Sequence, residues 1–583
     1  MTNETAQNEI LAHDRKMAWW REAKFGMFIH WGLYALPAGV WNGQEVPGIG
    51  EWIMKRARVP IAEYSQLAAQ FNPVKFNARE WVELAVSAGM KYIVITAKHH
   101  DGFCMYHSKV SSYNIVDATP FGRDPMKELA EACAEAGIKL CFYYSQTQDW
   151  YEKDAVGNDW DFPNAEEKNF AAYLENKVKP QVRELLTQYG PIGLIWFDTP
   201  MTMTGEQSAE LVELVKSIQP DCIVNGRVGN GRGDYICLGD NETPAKSLHV
   251  DWETCATLNH TWGFKTNDHH WKDPETVIRL LTDIVGKGGT YLLNVGPTAE
   301  GVIPEPSVNV LKRVGSWLKA NEEAIRGTKP NPFETEFEWG TLTLKPGKVY
   351  AHLYEWPAKG AFKLYGLKNT VRKACMLAEP ERELAFEQMY DTGAGTFALQ
   401  VKLSDQPPKG VAVLALDIDG DVQADNTLMQ QASGSIILEA HRANLHTSET
   451  STLILSRAGV LTGWSDAGDW VSWQFKVIAP GRFRIDLLSM AEKAREAMGE
   501  TAGRWEGGHE LAIEVAGQEL RCTVEEKERI VTSRSLYFHR VRSECGTVRF
   551  DAPGTYTLSV KPQKLVCDME LGLKLVSVVL RPE

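Results

Sequence analysis

Three observations predict a (β/α)8-like (TIM) barrel followed by two β-sandwiches, an α/β fold with an all-β tail. From Lys24 to about Thr328, short runs apolar on both faces alternate with amphipathic helical segments, the rhythm of a parallel sheet covered by its own crossovers. After Thr328 the pattern changes to short strands separated by turn residues, as in antiparallel sandwiches. A polar stretch without periodicity, residues 420–434, then divides the β-rich part in two. The chain of 583 residues exceeds what one core organises, and the expected units are 1–330, 331–418 and 419–583.

Seven barrel strands are expected: Phe25–Trp31, Tyr92–His99, Lys139–Ser145, Gly193–Asp198, Cys222–Gly226, Leu248–Trp252 and Thr290–Gly296. The clearest is the second, where KYIVITAKHHDGF (Lys91–Phe103) runs apolar and then ends abruptly in two imidazoles, a carboxylate and a glycine. Helices lie between the strands. Asn77 caps one in which Glu80 answers at the third position and Trp81, Leu84, Ala85 and Ala88 share a face before Gly89 ends it. Asp124-Pro125 and Asp273-Pro274 each place a cap before a first-turn proline, with Gly137 and Gly286 as stops. Phe170, Tyr173, Leu174, Val178 and Val182 form a third stripe, with Pro180 as a potential kink. An open doubly wound sheet is the competing arrangement, and the lack of GxGxxG after the first strand counts against its dinucleotide-binding form.

In the first sandwich the strands are Thr341–Leu344, Val349–Trp356, Ala361–Leu367 and Val411–Asp417. In the second, Val471, Trp473, Phe475 and Val477 alternate, then Phe483, Ile485 and Leu487, then Tyr556, Leu558 and Val560, so one face of each strand is buried.

A formal charge of −14 argues against a nucleic-acid or anionic-membrane partner, either of which calls for a basic face, and leaves neutral or sugar-like ligands open. The ten cysteines show no CxxC and no zinc-like spacing; Cys141 in Leu-Cys-Phe-Tyr-Tyr reads as a small buried hydrophobe in a reducing compartment. No basic segment followed by an apolar one opens the sequence and no stretch approaches a membrane span, so a cytoplasmic protein is expected. A homo-oligomer remains open.

Active sites in parallel α/β folds gather at the C-terminal ends of the strands. Polar groups there are His30 and Trp31, then His99, His100 and Asp101, Tyr144, Asp198, Arg227, and Trp252 with Glu253. Imidazoles, an arginine, aromatics and carboxylates in one mouth suit a sugar, whose hydroxyls need hydrogen bonds and whose C–H faces need an aromatic wall. Cleaving a glycosidic bond requires two carboxyl groups, one ionised and one protonated. Asp198, ending the apolar run Ile192–Asp198, is the best nucleophile candidate; Asp240, Glu242 and Glu253 compete for the second place, and spacing alone does not choose.

The motifs FGMFIHWG, KHHDGF, LIWFD, NGR, WET with TWGF, and YLLNVGP occur in that order over the first 300 residues. Together they resemble the retaining α-L-fucosidases of glycoside hydrolase family 29. The resemblance implies a barrel followed by a β-sandwich, no cofactor and no metal, and double displacement on a fucosylated oligosaccharide or glycoconjugate. By that resemblance Asp198 is the nucleophile, and His30, Trp52, His99, His100, Tyr144, Arg227, Glu253 and Trp262 bind the sugar. LGDNE (Leu238–Glu242) is similar to the bacterial subgroup in which the aspartate of GDN is the acid/base; this points to Asp240, with Glu253 in reserve and Glu242 third.

Plainer readings compete. The histidine pair could be a structural cluster or a metal site, although no second ligand motif accompanies it. Gly-Asp-Asn is turn chemistry, Glu253 could be a wall residue that moves no proton, and Trp19, Trp20 and Trp41 could be core. His269-His270 fits a solvated helix start. The run Gly463–Trp473 loosely resembles carbohydrate-binding modules, or its tryptophans are core, leaving the domain to shield the mouth or contact another copy. Transfer to a sugar hydroxyl would use the same carboxylates as hydrolysis, and an inactive sugar-binding scaffold would lack one of them.

Overall fold

The computed structural model describes residues 3–357, 360–493, 503–532, 534–535, 537–569 and 572–583. Its first part is built on eight parallel strands: β1 (Phe25–Ile29), β2 (Tyr92–Lys98), β3 (Lys139–Ser145), β4 (Leu194–Asp198), β5 (Ile223–Val224), β6 (Ile236–Cys237), β7 (Trp252–Thr257) and β8 (Thr290–Val295). They lie in the order β5-β4-β3-β2-β1-β8-β7-β6, and a parallel bridge between Asn225 and Tyr235 joins the two ends into a TIM-like barrel. β6 is two residues long, too short to leave a periodic signal, and went unforeseen. The run expected at Leu248–Trp252 is instead a loop, with Val250 exposed, that only delivers Trp252 to the start of β7.

The helices follow their capping residues. Asn77 Oδ1 accepts from the Arg79 and Glu80 amides to open α1 (Ala78–Ser87), and Asn77 Nδ2 donates to Glu80. Asp124 accepts from the Met126 and Lys127 amides at α2 (Pro125–Ala136), which ends on left-handed Gly137. The third stripe is helical throughout, but its middle, Leu174–Val178, is a π-helical turn ahead of α3 (Lys179–Gln188). Asp273 caps α4 (Pro274–Gly286), in which Gly286 is the last helical residue. A Cβ there would lie 2.4 Å from Thr341 Oγ1, so this glycine serves the approach of the next domain more than the end of the helix.

Side-chain parity divides the barrel into two shells. Phe28, Tyr92, Val94, Cys141, Tyr143, Leu194, Trp196 and Cys255 form an inner cluster, closed at the bottom by Met17 and Trp20 of the N-terminal helix Asn3–Ala23. Ile29, Ile93, Phe142, Tyr144, Ile195 and Phe197 point outward and pack beneath the helices.

Beyond the barrel, one sandwich pairs the sheet Gly340–Lys345, Lys348–Leu353, Ala412–Ile418, Val371–Met376 with the sheet Ala361–Tyr365, Thr396–Lys402, Phe386–Asp391. The last sandwich packs a six-stranded sheet on a seven-stranded one around Trp464, Val471, Trp473, Phe475 and Ile485. The polar stretch read as a linker contributes Leu428–Met429, which pairs with Trp470–Val477. Cys104, Cys133, Cys141, Cys222, Cys255 and Cys375 are buried free thiols, whereas Cys522 and Cys545 are joined in a disulfide that spacing did not reveal. Among the described residues no helix is long and apolar enough to cross a membrane.

Candidate active site

A cleft of about 470 Å³ opens at the C-terminal ends of the strands, lined by Phe28, His30, Glu51, Trp52, His99, His100, Tyr143, Trp196, Asp198, Arg227, Asp240 and Trp262. Asp198, the last residue of β4, is 8% exposed. Its Oδ2 accepts from the Tyr143 hydroxyl at 2.8 Å, and its Oδ1 from Arg227 Nη1 at 3.0 Å and the Thr199 amide at 2.9 Å. Thr199 itself adopts a left-handed φ of 49°, a conformation costly for a β-branched residue. Burial alone would raise the Asp198 pKa, but the charge of Arg227 and the hydrogen bonds from Tyr143 and Arg227 outweigh it and hold the carboxyl below its ordinary value. Asp198 is therefore ionised at neutral pH.

Arg227 reaches Asp198 through Nη1 and Asp240 through Nη2, and its guanidinium lies 4.8 Å above the Trp196 ring. Asp240 is the outer of the two carboxylates, its side chain 31% exposed. Its loop is anchored to β7: the Asn241 amide donates to the Cys255 carbonyl at 2.8 Å, and Thr254 Oγ1 to the Glu242 carbonyl at 2.7 Å.

Three imidazoles form one wall. His30 Nδ1 pairs with Asn294 Oδ1 at 2.7 Å, His100 Nδ1 with Ser145 Oγ at 2.7 Å, and the buried His99 Nδ1 has no partner. A register shift between Thr96 and Lys98 sends Lys98 outward to Asp149 and brings His99 and His100 to the cleft. Burial lowers the His30 pKa to about 4 and the His100 pKa to about 3, against the raising effect of Asp198, and takes His99 well below its usual value. Neutral rings offer both a donor and an acceptor, which suits hydroxyl groups. Trp262 leans on His30 with ring centres 5.0 Å apart, and Trp52 stands edge-on to His100 at 5.4 Å.

Several expected residues lie elsewhere. Tyr144 faces the outer shell, its hydroxyl bonded to Gln181 Oε1 at 2.7 Å; Tyr143, one position earlier and so on the opposite face, lines the cleft instead. Glu253 is buried inside the barrel below the cleft, and Glu242 folds back to accept from the Gly239 amide at 2.9 Å. Asp101 binds the Tyr64 hydroxyl away from the cleft.

Glu51 was not foreseen. It sits in the short 3-10 segment Gly50–Trp52, where no periodicity marks it; the only sequence signal is a lone carboxylate between a glycine and a tryptophan. Its Oε2 accepts from the Gly263 amide at 2.8 Å while buried Oε1 has no partner, and burial raises its pKa to about 7. Among the described residues, the group able to hold a metal is His260, Asp268 and His270, on the rim loop that carries Trp262 rather than in the cleft.

A parallel barrel whose mouth sets an ionised, buried carboxylate beside a second carboxyl group, with aromatic and neutral imidazole walls, is a glycoside hydrolase. The α-L-fucosidase family model matches residues 2–323, more than half of the chain, and the chain belongs to that family. The tissue α-L-fucosidase of Bos taurus is 32% identical over 382 residues, 62% of this chain and 80% of that protein. Among solved structures, the α-L-fucosidase of Vibrio sp. strain EJY3 superposes with a TM-score of 0.86 at 31% identity and 98% coverage of both chains. The α-L-fucosidase AlfC of Lactobacillus casei, in complex with its α-L-fucose product, is 43% identical with a TM-score of 0.50 and corresponds to 52% of this chain and 99% of its own.

Proposed function

We propose that this chain is a retaining α-L-fucosidase that removes terminal α-L-fucosyl residues from fucosylated oligosaccharides or glycoconjugates by double displacement. The observation that carries this reading is the single guanidinium of Arg227 bonded to both Asp198 and Asp240, which keeps the two carboxyl groups close, as a covalent glycosyl-enzyme route needs. Asp198 attacks the anomeric carbon as Asp240 gives a proton to the departing oxygen. Water, deprotonated by Asp240, then releases fucose with its configuration retained. The neutral imidazoles of His30, His99 and His100 bind ring hydroxyls, and Trp262 packs on an apolar face. AlfC structures with 4-nitrophenyl-α-L-fucopyranoside and Fucα(1,6)GlcNAc support a fucosyl substrate, and AlfC variants described as fucosyltransferases support transfer as a side reaction of the same intermediate.

A second reading of the proton donor rests on Glu51, whose raised pKa and unpartnered Oε1 equip it to give a proton near neutrality. Two variants decide. Asp198→Ala should lower kcat/KM on an aryl α-L-fucoside at least a thousandfold, about 4 kcal/mol of barrier, and a loss of under tenfold would reject Asp198 as nucleophile. Asp240→Ala should lose far less on an aryl fucoside than on a disaccharide and should form α-L-fucosyl azide when azide is added. If Glu51→Gln gives that pattern and Asp240→Ala does not, Glu51 is the acid/base.

A further inference from the structure

Two imidazoles of the cleft wall are held from behind by groups that can bond in one direction only. His30 Nδ1 meets Asn294 Oδ1 at 2.7 Å, and Asn294 Nδ2 donates to the Trp262 carbonyl at 2.8 Å. A carbonyl only accepts, and the reverse orientation of the amide would press two acceptor oxygens together. Asn294 therefore turns its oxygen to His30, and the hydrogen between them belongs to His30 Nδ1. His100 shows the same order. Its Nδ1 meets Ser145 Oγ at 2.7 Å, and the Ser145 hydroxyl gives its single hydrogen to the Gln148 carbonyl at 2.8 Å, so Nδ1 of His100 is again the donor. Both holding residues are fully buried on the strand next to the histidine's own, Asn294 on β8 beside β1 and Ser145 at the end of β3 beside β2.

We infer that Asn294 and Ser145 are positioning residues that fix His30 and His100 as Nδ1–H tautomers, so that the cleft presents two bare Nε2 acceptors and selects a sugar by the hydroxyl hydrogens it donates to them. The identity of that sugar rests on the fucosidase reading; the tautomers do not. Burial keeps both rings neutral, so each carries one hydrogen, and in each that hydrogen is already engaged behind the wall. His100 Nε2 stands 3.7 Å from Asp198 Oδ2. With no hydrogen on Nε2 this approach is not a hydrogen bond, and the nucleophilic oxygen keeps the Tyr143 hydroxyl as its donor without a second one from the imidazole. A bare nitrogen and a carboxylate oxygen side by side leave a place for a hydrogen that a substrate hydroxyl supplies. The Asn294 amide does further work through its other end, since it ties His30 to the segment whose Trp262 ring leans on that imidazole.

Histidine-selective 15N labelling with two-bond 1H–15N spectra of the free protein at pH 7 reads the tautomers directly, each ring being assigned from His30→Asn and His100→Asn. Both rings should show a protonated Nδ1 and a bare Nε2, and a hydrogen on Nε2 of either would overturn the inference. Ser145→Ala should turn His100 into a mixture of tautomers, Ser145→Thr, which keeps the hydroxyl, should restore the single form, and Asn294→Leu should release His30 in the same way. Calorimetry with L-fucose and its 2-, 3- and 4-deoxy and deoxyfluoro forms then reads the acceptors. At two of the three positions fluorine, which removes the hydrogen, should weaken binding to the wild type as much as deletion does, by about tenfold or 1.4 kcal/mol. Ser145→Ala should lose about tenfold on L-fucose and less than twofold on one of the deoxy sugars. Fluorine that restores binding at all three positions would overturn the acceptor assignment. Failure of L-fucose to bind the wild type would defeat the fucosidase reading, whereas the tautomers stand or fall on spectra recorded without it.

Discussion

Glu253 lies fully buried on the inner face of β7, where Trp196 Nε1 donates to it at 2.8 Å and the Tyr235 and Tyr92 hydroxyls at 3.2 and 3.3 Å. Burial raises its pKa to about 7 even against those three donors. It reaches no cleft surface, so Glu253→Gln should keep kcat/KM on an aryl fucoside within tenfold, and a thousandfold loss would return it to the catalytic list. With a folded pKa above the ordinary value of 4.5, the folded state binds more protons between pH 4.5 and 7, so the contribution of Glu253 to stability is complete below 4.5 and is lost as pH rises through 7. Between pH 5 and 7.5 the melting temperature of Glu253→Gln should therefore fall less than that of the wild type. The sequence shows a carboxylate near a strand end but not which way the pleat turns it, and the same gap exchanged Tyr144 for Tyr143. Anchoring parity on Asp198 would have found Trp196 two residues back, as anchoring on His30 finds Phe28.

At the scale of elements, capping residues and two-faced apolar runs are strong local signals, which is why α1, α2, α4 and strands β1 to β4 stand where the sequence places them. β6 and the turn holding Glu51 are set by tertiary contacts and leave no period to read. Glycines at close approaches fall between these cases. Gly315 lies in α5 (Glu305–Asn321), and a Cβ there would lie 1.8 Å from the Ser87 carbonyl oxygen at the end of α1. In an isolated helix Gly→Ala is favourable, so propensity and packing predict opposite signs. Packing should win, because the obstacle is backbone that moves only with its helix. Gly315→Ala should destabilise the barrel by about 1–3 kcal/mol, the range for overpacked cores, seen as faster amide exchange in both helices. A rise in stability would show that the helices slide apart freely.

For the whole molecule, the units meet at one knot of charge. Asp283 and Lys287 come from the barrel, Glu336 from the segment leading into the first sandwich, and Arg534 and Arg540 from the last sandwich. Burial opposes the charge on Glu336, yet Arg534, Lys287 and Arg540 hold its pKa well below the ordinary range. Its contribution to stability is accordingly present at neutral pH and is lost only as pH falls below its ordinary value of 4.5. Removing one member of such a buried cluster costs more than the pair was worth, because its partners remain charged without compensation. Glu336→Gln should cost about 3 kcal/mol at pH 7, near the lower end for broken buried pairs. The loss should fall on the junction rather than on either core, so calorimetry should show the last sandwich melting ahead of the barrel. The last sandwich also holds the loop that carries Asp240, the Thr243 amide donating to the Arg534 carbonyl at 3.1 Å and the Ala245 amide to the Ala458 carbonyl at 2.8 Å, so the same variant should lose turnover on fucosyl disaccharides before it loses turnover on α-L-fucosyl fluoride. A melting profile and substrate ratio matching the wild type would mean that the backbone bonds at Thr243 and Ala245 hold the sandwich in place without the charges.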